Sequence, residues 1–311
     1  MSMTPAEVKK AIEDGDDFGH EMRVGHLLHH ASLLTRGSGT NPGIVEQLRH
    51  GGAYKDPLTG KSRQFDYRCR ISRFGQATWL LDSVWLAVEC KNLHHDSPLV
   101  ICGRSRTDDE AYHGVIASWK DDVNCPFSTT DQICGPQSLY KPAEFVGKSV
   151  LRLQREKGDK KGTLKAVSDP DVFDRWAQAL ASSVEMAESA LSLVQDGPYK
   201  RCCSVILPVV VLPNATLWTV PYHNDGSLTK DPSTTDDCTF FADAKPTVAG
   251  KPFALTHIHF TTLKGFESLL NRITYEDQFW NQLFNLESET FSPRRNVSAR
   301  EFVSGLSDPE G

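Results

Sequence analysis

Glu89 and Lys91 lie at the end of an apolar segment, in the run VWLAVECK (84–91). Residues two apart in a β-strand point to the same face, and buried charges cost free energy unless they pair or bind something. Asp66 lies in the preceding segment FDYRCRI, and antiparallel pairing of the two segments would bring all three side chains to one sheet edge. Two carboxylates can hold Mg²⁺ or Mn²⁺, and a neighbouring lysine can orient a water molecule. The pattern therefore predicts metal-dependent hydrolysis.

The elements that must position these residues can be predicted from hydrophobic spacing. A helix is expected over 18–35, followed by a hairpin whose strands flank the turn KDPLTGKS (55–62). VWLAVEC reads as a central strand because it is apolar almost throughout. A long helix is expected over 169–195, and CSVILPVVVL and ALTHIHFTT are expected to be strands that precede a closing helix. We therefore predict an α/β fold, a mixed sheet of roughly five strands with helices on both faces.

The expected domain organisation is a single elaborated domain over 18–285, preceded by an N-terminal arm (1–17) and followed by a C-terminal tail (286–311). The segment 105–170 is rich in Gly, Pro, Asp and Lys and reads as an irregular insertion or lid around short helices.

The pattern formed by Asp66, Glu89 and Lys91 resembles that of the PD-(D/E)xK, or restriction-endonuclease-like, nuclease superfamily. Its pattern places an Asp on one strand and Glu or Asp, any residue and Lys on the next, which here are Asp66 and the triplet Glu89, Cys90 and Lys91. The resemblance implies a restriction-endonuclease-like fold. It also implies Mg²⁺ or Mn²⁺ bound by Asp66, Glu89 and the Cys90 carbonyl, with Lys91 orienting the water nucleophile.

Two further positions follow from the resemblance. Members often add a Glu from the first helix, where Glu21 shares a helical face with Val24 and Leu28. Glu46 is the alternative candidate for this additional carboxylate, and a third possibility is that neither glutamate takes part. Gln178, in WAQALAS, resembles a Gln that some members carry on the helix after the catalytic strand, although a surface glutamine is the competing interpretation.

Charge restricts the kind of nucleic-acid contact that is possible. The net charge of −6 argues against a protein that coats nucleic acid by bulk electrostatics. One local stretch, 148–165, is basic and includes Lys148, Arg152 and Arg155, which are candidates for phosphate contacts. The competing interpretation is a solvated charged loop.

Other classes of protein find little support in the sequence. The longest apolar run is too short to cross a bilayer, and the first twenty residues lack the apolar core of a signal peptide, so we expect no membrane and a cytoplasmic location. The eight cysteines show no paired CxxC motifs and are expected to be reduced. His257 and His259 share a strand face without matching zinc ligands and are expected to be structural or exposed.

The expected function is therefore a metal-dependent endonuclease, with DNA favoured over RNA and with a role in bacterial defence, restriction or repair implied by the resemblance. The alternative is a catalytically inactive subunit that keeps the nuclease scaffold and binds nucleic acid or a partner protein. The acidic charge favours a regulatory partner or a second DNA-binding subunit, and a homodimer is the other assembly considered.

Overall fold

A computed structural model of the chain describes residues 3–14, 17–34, 43–56, 60–74, 80–94, 96–119, 128–133, 139–155, 163–167, 170–196, 201–248 and 250–284. The helices are α1 (Pro5–Asp14), α2 (Asp17–Leu34), α3 (Pro170–Asp196), α4 (Leu263–Tyr275) and α5 (Asp277–Phe284). The strands are β1 (Ile44–Lys55), β2 (Ser62–Phe74), β3 (Leu80–Cys90), β4 (Leu99–Ser105), β5 (Tyr112–Trp119), β6 (Ser128–Ile133), β7 (Phe145–Arg155), β8 (Leu164–Val167), β9 (Arg201–Leu212), β10 (Leu217–Pro221), β11 (Ser233–Thr234), β12 (Asp237–Ala244), β13 (Thr247–Val248), β14 (Lys251–Pro252) and β15 (Leu255–Thr262).

The fold is mixed α/β, as predicted, but its sheet is larger than expected. Thirteen strands form one sheet with the main order β1-β2-β3-β9-β15-β12-β7-β4-β10-β11, and β13 and β14 form a separate hairpin. The prediction of roughly five strands is therefore wrong, although β1-β2-β3-β9-β15 forms a contiguous mixed part of the sheet. β3, β9 and β15 are parallel, so their carboxyl ends share one edge, which we call the C-terminal edge.

Side-chain alternation along β3 divides the core between the two faces of the sheet. Leu81, Trp85 and Ala87 pack in one cluster with α3. Val84, Leu86 and Val88 pack in a second cluster with α2, α4 and α5. Because both faces are covered, nearly every residue of β3 must be apolar, which explains the continuous run in the sequence.

The segment between β3 and α3 differs from the prediction. Residues 105–170 were expected to be irregular around short helices, but the described part contains β5, β6, β7 and β8 and a single 3₁₀ turn at Asp108–Glu110. Polar residues and glycines interrupt the apolar alternation in these strands, so hydrophobic periodicity does not predict them. The strands pair mostly in the far half of the sheet or with β9, which is distant in sequence.

β9 joins the two halves of the sheet. One edge pairs with β3 along its whole length, while on the other edge residues 201–204 pair with β5 and residues 209–212 pair with β15. Pro208 lies between these two stretches, where a residue without an N–H group is tolerated inside a central strand.

The two ends of the chain also differ from the prediction. The N-terminal arm (1–17) contains helix α1, and the closing helix is broken at Glu276 into α4 and α5. The predicted tail (286–311) lies outside the described residues.

Three buried histidines surround Tyr140 on the inner part of the sheet. His257 stacks on the Tyr140 ring at 4.0 Å between centroids, and the hydroxyl of Tyr140 hydrogen-bonds Nε2 of His259 at 2.8 Å. His113 packs edge-on against the same ring, and its Nε2 donates to the carbonyl oxygen of Leu283 in α5. His257 and His259 were expected to be structural or exposed, and both are buried.

These histidines make stability depend on pH. Burial lowers the pKa of His113 to about 4. The pKa of His259 falls to about 3 through burial and then the charges of Arg272 and Arg106, and the pKa of His257 falls well below its usual range through burial and then Arg106. The unfolded chain binds these protons near pH 6.5 and the folded chain does not, so the stability present above pH 6.5 is lost as the pH falls toward 4.

We expect the free energy of unfolding to fall by about 1.4 kcal/mol per pH unit for each of His113 and His259 across that window. Urea unfolding of the intact chain and of His113→Gln between pH 7 and pH 5 measures this slope. The variant should show a shallower slope, whereas His94→Gln, at an exposed position, should keep that of the parent chain. Equal slopes for the parent and His113→Gln would contradict the assignment.

Candidate active site

Asp66 and Glu89 lie opposite each other on neighbouring antiparallel strands. Tyr67 of β2 pairs with Val88 of β3, and Asp66 and Glu89 are the next residues outward on the two strands. Residues in this relation share a sheet face and lie within side-chain reach. Glu89 is 1% exposed and Asp66 is half-buried, so access of water to both carboxylates is limited.

A hydrogen bond fixes Asp66 against the predicted ExK triplet. Oδ2 of Asp66 accepts from the backbone N–H of Cys90 at 2.6 Å, and Cys90 separates Glu89 from Lys91. A carboxylate that accepts from a backbone N–H forms a charge-assisted bond of roughly twice the strength of a neutral one. Asp66 therefore has a defined position beside the end of β3.

Glu89 occupies the α3 side of the sheet and influences a buried tyrosine there. The pKa of Tyr54 is raised, first by burial and then by the charge of Glu89. The Tyr54 hydroxyl donates to the carbonyl oxygen of Gln178 in α3 at 3.1 Å. Tyr54 thus ties the end of β1 to the helix that carries Gln178.

The side chain of Gln178 is held by the backbone of β2. Its Nε2 donates to the carbonyl oxygen of Gln64 at 3.1 Å, two residues before Asp66. The structure therefore brings Gln178 near the candidate carboxylates through Tyr54 and Gln64. The prediction that Gln178 takes part in catalysis stays a prediction.

Lys91 follows β3 at the C-terminal edge and is half-buried. Its backbone N–H donates to the carbonyl oxygen of Val211 in β9 at 2.9 Å. Nε2 of His20, in α2, donates to the same oxygen at 3.0 Å. One carbonyl group thus ties the ends of β3 and β9 to α2.

Glu21 lies on the same helix, which packs on the sheet face that carries Tyr67. It accepts a 2.6 Å hydrogen bond from Nε2 of His50, whose ring stacks on Tyr67 at 4.5 Å. The pKa of Tyr67 is raised to about 12 by burial and then by the charges of Glu21, Cys90 and Asp66. Both acidic side chains therefore act on one phenol group.

Glu46 lies in a different environment. Its Oε2 pairs with Arg70 at 2.7 Å and accepts from the hydroxyl of Ser72 at 2.5 Å, further along β2. Of the two glutamates weighed for the additional carboxylate, the structure places Glu21 beside the Asp66 end of β2 and Glu46 toward its other end.

Two buried residues at this site were missed by sequence reasoning. His20 is fully buried and precedes Val24 and Leu28 by one and two helical turns, so it extends the buried stripe of α2. The stripe is a signal that could have identified His20 as inward-facing. Tyr54 lies at the end of β1 after two glycines, and its local sequence carries no comparable signal.

The basic residues predicted to contact phosphate lie elsewhere in the sheet. Lys148, Arg152 and Arg155 belong to β7, and β9, β15 and β12 separate β7 from β3. Nζ of Lys148 pairs with Glu110 at 2.8 Å, Nε of Arg152 donates to the hydroxyl of Ser97 at 2.7 Å, and Arg155 lies 3.7 Å from a carboxylate oxygen of Asp96. The structure thus gives these residues protein partners and does not bring them to Asp66 and Glu89.

The donor chemistry of the site fits a hard divalent cation. Within the described ranges, no group of three or more His, Cys, Asp and Glu side chains is arranged to hold a metal ion. Mg²⁺ does not require such a group, because it is commonly held by one or two carboxylates together with water and substrate phosphate. Asp66, Glu89 and the Cys90 carbonyl provide oxygen donors of this kind.

Comparisons with protein-family models, curated proteins and solved structures find no match to this chain. Among the residues that the structure describes, no helix is long and apolar enough to cross a membrane.

Proposed function

We propose that the chain is a metal-dependent nuclease with a PD-(D/E)xK site on a restriction-endonuclease-like fold. The observation that carries this proposal is the cross-strand placement of Asp66 opposite Glu89, with Asp66 bound to the backbone N–H of Cys90. The resemblance requires an acidic residue on one strand facing an ExK triplet on the next, and this arrangement supports it. Hydrolysis of nucleic-acid phosphodiesters, with DNA favoured over RNA, is the corresponding activity.

The residues of the site would have separate roles in hydrolysis. Asp66, Glu89 and the Cys90 carbonyl would hold Mg²⁺ or Mn²⁺, and Lys91 would orient the attacking water. The ion supplies Lewis-acid stabilisation of the charge that develops on the phosphate. The hydrogen bond from the Cys90 N–H holds Asp66 in place, and His20 anchors α2 at the edge where Lys91 lies.

Glu21 is proposed as the additional acidic group because it binds His50, whose ring stacks on Tyr67, the neighbour of Asp66. Through His50 it also makes contact with the strand that precedes β2. In this role Glu21 would hold water or a second ion near the scissile phosphate, while Gln178 would support the site from α3.

The cellular setting is part of the proposal. The six described cysteines are free thiols, which agrees with a reducing cytoplasm. Defence, restriction or repair in a bacterial cell is the corresponding role. A separate DNA-binding partner would supply the positive surface that a chain of net charge −6 lacks, and a homodimer is the other assembly proposed.

The second candidate is an inactive scaffold that keeps the nuclease fold. A subunit of this kind would bind nucleic acid or a partner protein without cutting. Because catalysis requires the cation, Mn²⁺ binding by the purified chain separates the two functions.

The direct test is cleavage of linear, circular and single-stranded DNA and of RNA, with Mg²⁺, with Mn²⁺ or with EDTA. We expect cutting only with metal, and Lys91→Ala should slow it by about 10²-fold or more, the range measured for groups that move a proton in the transition state. Lys55→Ala removes an exposed lysine of β1 and should leave the rate unchanged. Equal rates for Lys91→Ala and the parent chain would rule out the role given to Lys91, and an inactive parent chain that binds no Mn²⁺ would favour the scaffold.

A further inference from the structure

A second concave site lies away from the candidate carboxylates. A cavity of about 1000 Å³ is bounded by β4, β10 and β12, by the segment 139–145 and by α4. It opens beside the second half of the sheet, whereas Asp66 and Glu89 lie on β2 and β3. The volume is at the upper end of those found for small-molecule sites.

The lining of the cavity is basic in an otherwise acidic protein. Six cationic side chains line it against three acidic ones, in a chain whose net charge is −6. The six are Arg104, Arg106, Lys141, Lys230, Lys264 and Arg272. A concave surface with such an excess focuses positive potential and attracts anions.

Internal ion pairs remove only part of this charge. Lys264 pairs closely with Asp236 at 2.6 Å, so these two neutralise each other. Glu144 lies 3.9 Å from both Arg106 and Lys141, at the outer limit of an ion pair, and one carboxylate thus serves two cations. Two further cations of the lining have carboxylate partners outside it, since Arg104 pairs with Glu110 at 2.7 Å and Arg272 lies 3.9 Å from Glu276. A positive excess therefore remains at Arg106 and Lys141, which share the single carboxylate of Glu144.

Arg106 provides a fixed positive charge at the base of the cavity. Its side chain is 1% exposed, and it donates to the carbonyl oxygen of Lys141 and to the hydroxyl of Thr239, each at 2.7 Å. The charges of Arg272 and Arg106 both help to lower the pKa of His259 after burial. The two guanidinium groups, 166 positions apart in sequence (272 − 106), thus act on one point in the cavity wall.

Other lining groups are exposed enough to touch a ligand. The side chains of Lys141 and Arg272 are 37% and 34% exposed. Tyr222, which is 36% exposed, and Phe145 add aromatic surface to the same wall. Cations that bind phosphate beside aromatic rings that stack on bases are the combination used for nucleotides.

We propose that this cavity binds a phosphate-bearing ligand of nucleotide size, with Lys141 and Arg272 contacting phosphate oxygens and Tyr222 stacking on the base. A phosphate group joined to a nucleoside occurs in two ligands, a free nucleotide and the 5′-phosphorylated end of a nucleic-acid strand. The proposal goes beyond the proposed nuclease function, because it uses neither the carboxylates nor a metal ion.

Isothermal titration calorimetry of the full chain in EDTA tests the site without cleavage. The probes are ATP, adenosine, a 5′-phosphorylated pentathymidylate and the same oligonucleotide with a 5′-hydroxyl. We expect the phosphorylated probes to bind more tightly than their unphosphorylated partners. Binding of ATP alone identifies a free nucleotide as the source, and binding of the phosphorylated oligonucleotide alone identifies a strand end.

Substitutions locate the binding. Arg272→Gln should weaken it by about 10-fold or more, since hydrogen bonds between a guanidinium group and a phosphate are among the stronger polar contacts. Lys141→Gln serves as a second variant that does not depend on the packing of α4, and Lys55→Gln, outside the cavity, should bind as the parent chain does. The proposal is overturned if no phosphorylated probe binds at about 1 mM, the weak end of the affinity scale, if adenosine matches ATP, or if Lys55→Gln loses as much affinity as the cavity variants.

Discussion

Glu89→Gln is expected to lower the rate of metal-dependent DNA cleavage by about 10³-fold, within the range found for groups that act directly in the transition state. The amide keeps the shape of the side chain and removes the negative charge that would attract the cation. Because Glu89 is 1% exposed, bulk water can do little to replace that charge. The measurement is single-turnover cleavage with Mg²⁺, together with Mn²⁺ binding by calorimetry.

Mn²⁺ affinity should fall by more than about 10-fold in the same variant, since residues that merely support metal ligands already contribute 10- to 100-fold. Asp66→Asn is the partner variant, because an amide oxygen can still accept the hydrogen bond from Cys90 while the charge is lost. Glu188→Gln changes an exposed glutamate of α3 and is the matched control. Cleavage and Mn²⁺ binding at parental levels in Glu89→Gln would refute the proposed metal site.

Gly25→Val is expected to destabilise the protein by about 1–3 kcal/mol, the usual cost of overpacking a core. A β-carbon at Gly25 would lie 2.8 Å from Cζ of Tyr67 and closer still to its hydroxyl oxygen. Tyr67 is 2% exposed and cannot move aside into solvent. The clash outweighs the roughly 0.5 kcal/mol gained when glycine is removed from a helix.

The same substitution should impair cleavage, because α2 carries both Glu21 and His20. Urea unfolding and the cleavage assay would be applied to Gly25→Val, to Tyr67→Phe and to the double variant. Removal of the hydroxyl should restore part of the stability in the double variant, a coupling of about 0.5 kcal/mol or more. Met22→Val, at an exposed position of α2, controls for β-branching, and strict additivity of the two core changes would contradict the predicted contact.

The parts of the fold that the sequence predicted are those with local signals. β3 is apolar along nearly its whole length, the turn before β2 contains Asp, Pro and Gly, and α3 begins with Pro170 and continues with good helix formers. These signals depend on neighbouring residues alone, so periodicity and turn chemistry are sufficient.

The missed parts depend on distant partners. β5 pairs residue 116 with residue 204, and nothing near Ile116 indicates that edge of β9. The choice between Glu21 and Glu46 likewise required the packing of α2 on β2, since each glutamate has a plausible inward-facing register in its own element. The cavity between β4, β12 and α4 combines side chains from separate parts of the chain and has no linear motif.

The carbonyl group of Val211 affects when the candidate site can form during synthesis of the chain. Lys91 and His20 both depend on this group, which is synthesised 120 residues after Lys91 (211 − 91). Because synthesis runs at about 5–20 residues per second, a nascent chain would carry Asp66, Glu89 and Lys91 for several seconds before β9 exists to fix them. The candidate site can therefore assemble only after most of the protein has been made.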